Sequence, residues 1–127
     1  MTEAIAHIGQ DRYSTKIDIG TRSLMADEPP SRGGGDTGPA PYELLLASLG
    51  ACTAITLRMY ADRKQWPLAS LDVQLRLHGQ GETLRIERVL APTGLEPEQN
   101  ARLAEIAERT PVTLTLKHGV PIDTKLV

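Results

Sequence analysis

The side chain with the widest chemical reach in this sequence is Cys52, the only cysteine among 127 residues. As a thiolate it is a nucleophile able to attack a peroxide oxygen. As a protonated core residue it is a small hydrophobe. Both readings stand on composition alone. Cys52 sits mid-helix inside the uncharged run Leu44–Leu57, so no helix N-terminus is available to it, and a thiolate needs a cation brought from elsewhere in the fold. Gly50 and Ala51 leave room beside it for a ligand or another backbone. Glu43 precedes Cys52 by nine residues, about 13 Å along a helix rising 1.5 Å per residue. It cannot touch the sulfur within that helix, and it also fits as a first-turn carboxylate favoured by the dipole. Tyr42, beside it, suits packing better than chemistry.

Other constellations carry less. Asp27, Glu28, Arg32 and Asp36 lie in one loop that could order an anion or clamp a partner, although a solvated loop is the plainer reading. The glycines Gly33–Gly35 are not followed by Lys-Ser or Lys-Thr at phosphate-loop spacing. His7, His78 and His118 stand apart from any carboxylate or thiol at ligand spacing, so no metal and no cofactor is expected. No Gly-x-Ser-x-Gly stretch supports a serine nucleophile.

Composition narrows the class. The length suits one domain, residues 1–127. There is no Phe, one Trp and three Tyr, a thin aromatic content that suggests a core shared between subunits. The net charge of −2 and scattered arginines argue against a nucleic-acid partner. A lone cysteine permits no intrachain disulfide and suits a reducing cytoplasm. No basic n-region opens the chain, so no signal peptide is expected. The fourteen uncharged residues of Leu44–Leu57 fall short of the roughly 20 needed to span a bilayer.

The elements that must position these side chains follow from periodicity. Residues 4–8, 13–19 and 22–25 read as three strands joined by tight turns, hence an antiparallel meander. After a long loop, Gly33–Pro41 leads into a helix from about Pro41 to Lys64, apolar or small on every face and so expected to be surrounded by protein. Leu71, Val73, Leu75 and Leu77 alternate with polar residues, and Leu84, Ile86, Arg88 and Leu90 alternate with Arg85, Glu87 and Val89, which predicts a hairpin whose second strand breaks at Pro92-Thr93-Gly94. A second, amphipathic helix opens at Glu96-Pro97 and ends at Thr110-Pro111. Val112–Leu116 and Val120–Val127 read as extended. The sum is an α+β domain.

At GGGDTGPAPYELLLASLGACTAITLRMYA the sequence closely resembles the OsmC/Ohr family, the osmotically inducible and organic hydroperoxide resistance proteins. The resemblance rests on the glycine loop, the proline before the helix, and the Leu- and Ala-rich turns leading to Ala51-Cys52. It implies an intertwined homodimer, with antiparallel sheets from both chains wrapped around two long central helices. It further implies thiol-dependent reduction of organic hydroperoxides, in which a first cysteine becomes a sulfenic acid and a second closes a disulfide. Cys52 matches the first cysteine. The resolving position carries Thr110, so an external thiol reductant is implied. The family's glutamate falls at Tyr42, directly after Pro41, with Glu43 one residue further on. The arginine that assists the thiolate best matches Arg12, with Arg22 as the runner-up. Tyr42 and Met59 are the substrate-pocket candidates. The alternative is a non-catalytic dimer that binds a small hydrophobic ligand in the same interfacial pocket.

Overall fold

The computed structural model describes residues 2–127. The chain divides into two compact units, Met1–Leu45 and Leu46–Val127.

The first unit is a meander followed by a loop. Strands β1 (Ile5–Ile8), β2 (Thr15–Ile19) and β3 (Arg22–Ala26) form an antiparallel sheet in that order. Ile5 stands opposite Asp18 and Ile17 opposite Leu24. The turn between β1 and β2 places Arg12 at φ 54°, in the left-handed region that few non-glycine residues occupy. The three strands fall where the alternating runs predicted them.

The following loop is less solvated than its composition suggests. Asp27 is buried, and its carboxylate accepts the Glu28 N–H at 2.7 Å, the Thr37 N–H at 3.1 Å and the Thr37 hydroxyl at 2.7 Å. These bonds hold its carboxyl below the usual aspartate range, the Thr37 hydroxyl contributing most. The loop is therefore latched by Asp27 from within. The glycines meet a steric need: a Cβ on Gly34 would lie 1.9 Å from the Glu28 carbonyl oxygen, and one on Gly38 would lie 2.1 Å from that of Met25.

Helix α1 (Pro41–Arg63) starts in the first unit and forms the spine of the second. Glu43 reaches back to accept the Ala40 N–H at 2.8 Å, satisfying a donor that the helix start leaves free. The helix stops where Gln65 turns left-handed, at φ 59°, and the Trp66 N–H bonds the Ala61 carbonyl at 2.8 Å. Pro67 bars continuation.

The expectation of cover on every face holds for one stripe only within the chain. Leu49, Thr53, Leu57 and Ala61, spaced by four, are buried, while Ile55 and Met59 are 55% and 59% exposed. At 23 residues α1 is also long and apolar enough, by length and composition, to cross a bilayer, which the fourteen-residue count missed. The Arg58–Asp62 pair in its last turns and a stripe packed on the chain's own core fit a core helix.

In the second unit, β4 (Ser70–His78) and β5 (Arg85–Thr93) pair antiparallel, with Val73 opposite Leu90 and Leu75 opposite Arg88. The strand β5 runs through Pro92-Thr93 rather than breaking there. Leu75 packs close to α1 at Gly50, where a Cβ would come within 2.8 Å of Leu75 Cδ1. Helix α2 (Pro97–Ala107) turns Leu103 and Ala107 inward against Leu57, Ala61 and Leu68.

The last third departs from its sequence pattern. Residues 111–118 form a third helix, α3 (Pro111–His118), and not the extended segment expected from Val112–Leu116. The alternation Val-Thr-Leu-Thr-Leu suits a strand, yet Pro111 at the first helical position and Thr110 at the N-cap suit a helix start. Tertiary packing decides: Thr113, not a leucine, is the residue that α3 buries. Residues 119–127 carry no assigned helix or strand and are exposed throughout, Ile122 at 85%, so the strand expected over Val120–Val127 is not formed within this chain.

Candidate active site around Cys52

Cys52 is half-buried on α1, with its thiol free. Its sulfur lies 3.9 Å from the Thr56 hydroxyl, one turn along the same helix. Opposite, the Val112 backbone N–H donates to Sγ at 3.4 Å.

Val112 is the second residue of α3, and the first backbone bond of that helix is donated by Leu114 to the Thr110 carbonyl, at 3.0 Å. The Val112 N–H is therefore one of the donors that a helix start leaves without an internal partner. It bonds the sulfur instead, and the positive end of the α3 dipole faces the same atom. The expectation that no helix N-terminus serves Cys52 is corrected here: its own helix offers none, and α3 supplies one.

Thr110 is buried at the α3 N-cap. Its hydroxyl is 2.6 Å from that of Thr113. Around this pair Arg88 spreads its guanidinium, with its side chain only 12% exposed. Nη1 donates to the Thr53 hydroxyl at 3.0 Å and to the Thr113 hydroxyl at 2.8 Å. Nη2 donates to the Ala107 carbonyl at 2.9 Å and to Glu108 Oε2 at 3.2 Å. Glu108 also holds Lys117 at 2.9 Å. Its carboxyl is lowered below the ordinary glutamate range, first by the Lys117 hydrogen bond and then, more weakly, by Arg88. Sequence reasoning placed Arg88 on the apolar phase of β5 without giving it a role. An arginine in a leucine phase was the available signal.

The remaining candidates lie as follows. Arg12 is exposed and its Nη1 donates to the Gly33 carbonyl at 3.4 Å. Arg22 opens β3 and is exposed. Glu43 caps the start of α1, and Tyr42 beside it is 56% exposed. Met59 lies seven residues from Cys52 and so shares its helix face, on the uncovered apolar side with Ile55. Among the described residues, no group of three or more His, Cys, Asp or Glu is placed to hold a metal ion.

The sequence matches the family described as OsmC-like protein over residues 33–125, a span that takes in the glycine loop, all of α1 and the α3 start that faces Cys52. The chain belongs to the OsmC-like family. Solved OsmC-like folds superpose on it over most of their length. An organic hydroperoxide resistance protein OsmC from Legionella pneumophila is 23% identical, with a TM-score of 0.68, covering 92% of this chain and 89% of its own. An OsmC-like protein from Mycoplasma pneumoniae is 19% identical, with a TM-score of 0.74 over 94% and 89%. An organic hydroperoxide resistance protein from Elizabethkingia anophelis, with thiocyanate bound, is 20% identical, with a TM-score of 0.73 over 94% and 89%. At these identities the likeness is one of fold, and it establishes the α+β OsmC-like architecture. No curated protein matches the sequence.

Proposed function

We propose that this OsmC-like protein reduces organic hydroperoxides with Cys52 as its nucleophile, acting as one domain within a homodimer and drawing on an external thiol. The observation that carries the reading is the Val112 N–H aimed at Cys52 Sγ from 3.4 Å at the start of α3. That contact brings a second helix to a free, half-buried sulfur and gives it a backbone hydrogen-bond donor.

The thiolate attacks one oxygen of the alkyl hydroperoxide. The O–O bond breaks, the sulfur becomes a sulfenic acid, and the alkoxide leaves and takes up a proton to give the alcohol. Two equivalents of an external thiol then return the sulfenic acid to the thiol, releasing a disulfide and water. Thr110 supplies no second sulfur, so turnover waits on that reductant and over-oxidation competes with it. The exposed apolar flank of α1 beside Cys52, with Ile55 and Met59, suits a greasy alkyl peroxide better than hydrogen peroxide.

Arg12 and Glu43 are assigned to this reading through the family resemblance, Arg12 as the cation that favours the thiolate and Glu43 as its carboxylate partner. Tyr42 and Met59 are assigned to the pocket. A second copy of the chain is the proposed cover for the apolar surface left on α1, and the cytoplasm is the proposed compartment. The second reading, a dimer that binds a small hydrophobic ligand without chemistry, draws on one observation: Thr110 is engaged with Thr113 in a closed hydroxyl network.

Intact mass after one equivalent of alkyl hydroperoxide, with a sulfenic-acid trap present, separates the two. A trapped adduct within minutes, absent in Cys52→Ser, supports the peroxidase. An unchanged mass after hours supports the ligand-binding protein.

A further inference from the structure

Arg88 is the one charged side chain that β5 turns to its inner face, and every polar contact it makes ties down the elements around Cys52. Four acceptors on three helices meet one guanidinium: Thr53 on α1, Ala107 and Glu108 at the end of α2, and Thr113 in the first turn of α3. The α2–α3 junction is the corner that decides where the α3 N-terminus points. Thr53 is the chain neighbour of Cys52, and Thr113 that of Val112.

The hydroxyl bookkeeping closes around this cation. Thr53 accepts from Arg88 and donates to the Leu49 carbonyl at 2.7 Å. Thr113 accepts from Arg88, and within its pair with Thr110 one hydroxyl donates to the other and one donates to the Ala107 carbonyl, 3.3 Å from Thr113 and 3.5 Å from Thr110. A planar fork with fixed donors can satisfy this set, whereas a lysine, a single point charge, cannot.

We infer that Arg88 is a positioning residue for Cys52, seating the N-terminus of α3 so that the Val112 N–H meets the sulfur. Arg88 makes no hydrogen bond to the thiol. It acts through Thr113 and the Ala107 carbonyl, and removing it leaves the α3 start free to draw back. The inference deepens the peroxidase reading, and its test is independent of peroxide.

The test is the pH profile of Cys52 alkylation by iodoacetamide in the whole protein, with the thermal midpoint measured alongside. Arg88→Met and Thr113→Val are each expected to depart from the wild-type profile, with alkylation about tenfold slower near neutrality, as loss of a hydrogen bond at the reacting sulfur does. Thr113→Ser, which keeps the hydroxyl, is expected to retain the wild-type profile. Should Arg88→Met fail to fold, the Thr113 pair carries the test alone. A lowered thermal midpoint with an unmoved alkylation profile in Arg88→Met, or in Thr113→Val where Arg88→Met does not fold, would make Arg88 a fold residue only and overturn the inference. A wild-type protein that shows the profile but yields no sulfenic acid with peroxide overturns the peroxidase reading and leaves Arg88 its role.

Discussion

The Val112 backbone N–H donates to the sulfur of Cys52 across sixty residues of sequence, at 3.4 Å. This contact makes the first turn of α3, capped by Thr110, the environment of the thiol.

The contact has a direct reporter. In Cys52→Ala the Val112 amide loses its acceptor and no helical carbonyl replaces it. Its hydrogen exchange should quicken about tenfold while amides in the middle of α1 stay protected, because a lost bond near a helix start opens locally. Exchange of the Val112 amide followed by NMR checks this, and an unchanged rate would show that the sulfur is not its acceptor in solution.

Thr110→Cys should give the proposed chemistry a second sulfur next to Cys52. The first turn of α3 already lies against Cys52, so oxidation by a stoichiometric alkyl hydroperoxide is expected to join the two sulfurs rather than stop at the sulfenic acid. Mass spectrometry should show the loss of two hydrogens and no adduct with the trap. A persistent trapped sulfenic acid in this variant would place position 110 out of reach of Cys52.

Asp27 gives the first unit an acid limb. Its folded-state carboxyl lies below the ordinary value because the Thr37 hydroxyl and backbone N–H groups bond the ionised form. Its stabilising contribution is thus fully present above the unfolded value of about 3.9 and is lost as pH falls through the lower folded value. Asp27→Asn should lower the thermal midpoint near neutrality, and the gap from wild type should close below that range. A gap that stays constant from neutral to strongly acidic pH would mean that the carboxylate charge is not what the latch uses.

The uncovered flank of α1 leads to a prediction about assembly. Sedimentation equilibrium should give twice the chain mass, and the thermal midpoint should fall on dilution, since the stability of an obligate dimer depends on protomer concentration. A monomer at micromolar concentration with an unchanged midpoint would remove the dimer from the proposal.

Much of this was legible in the sequence, and the losses have identifiable causes. The meander, α1 and the β4–β5 hairpin follow local periodicity, and local periodicity was enough. Helix α3 was missed because Val112–Leu116 alternates like a strand and is β-branched at three positions, whereas its conformation is set by Pro111 and by the corner with α2. That one error also hid the helix terminus beside Cys52. Arg88 stood in the sequence as an arginine in a leucine phase, but its partners Thr53, Ala107, Glu108 and Thr113 are distant in sequence, and only the fold assembles them. Asp27 looked like one acidic residue in a polar loop because the Thr37 bonds that bury it close across ten residues.

The glycines Gly34 and Gly38 bear on what selection can see. Each is pressed against a backbone carbonyl, and no second substitution elsewhere can make a carbonyl smaller. Such positions are held by shape: a side chain at either would push the loop's backbone apart, whether the sulfur of Cys52 reacts or rests.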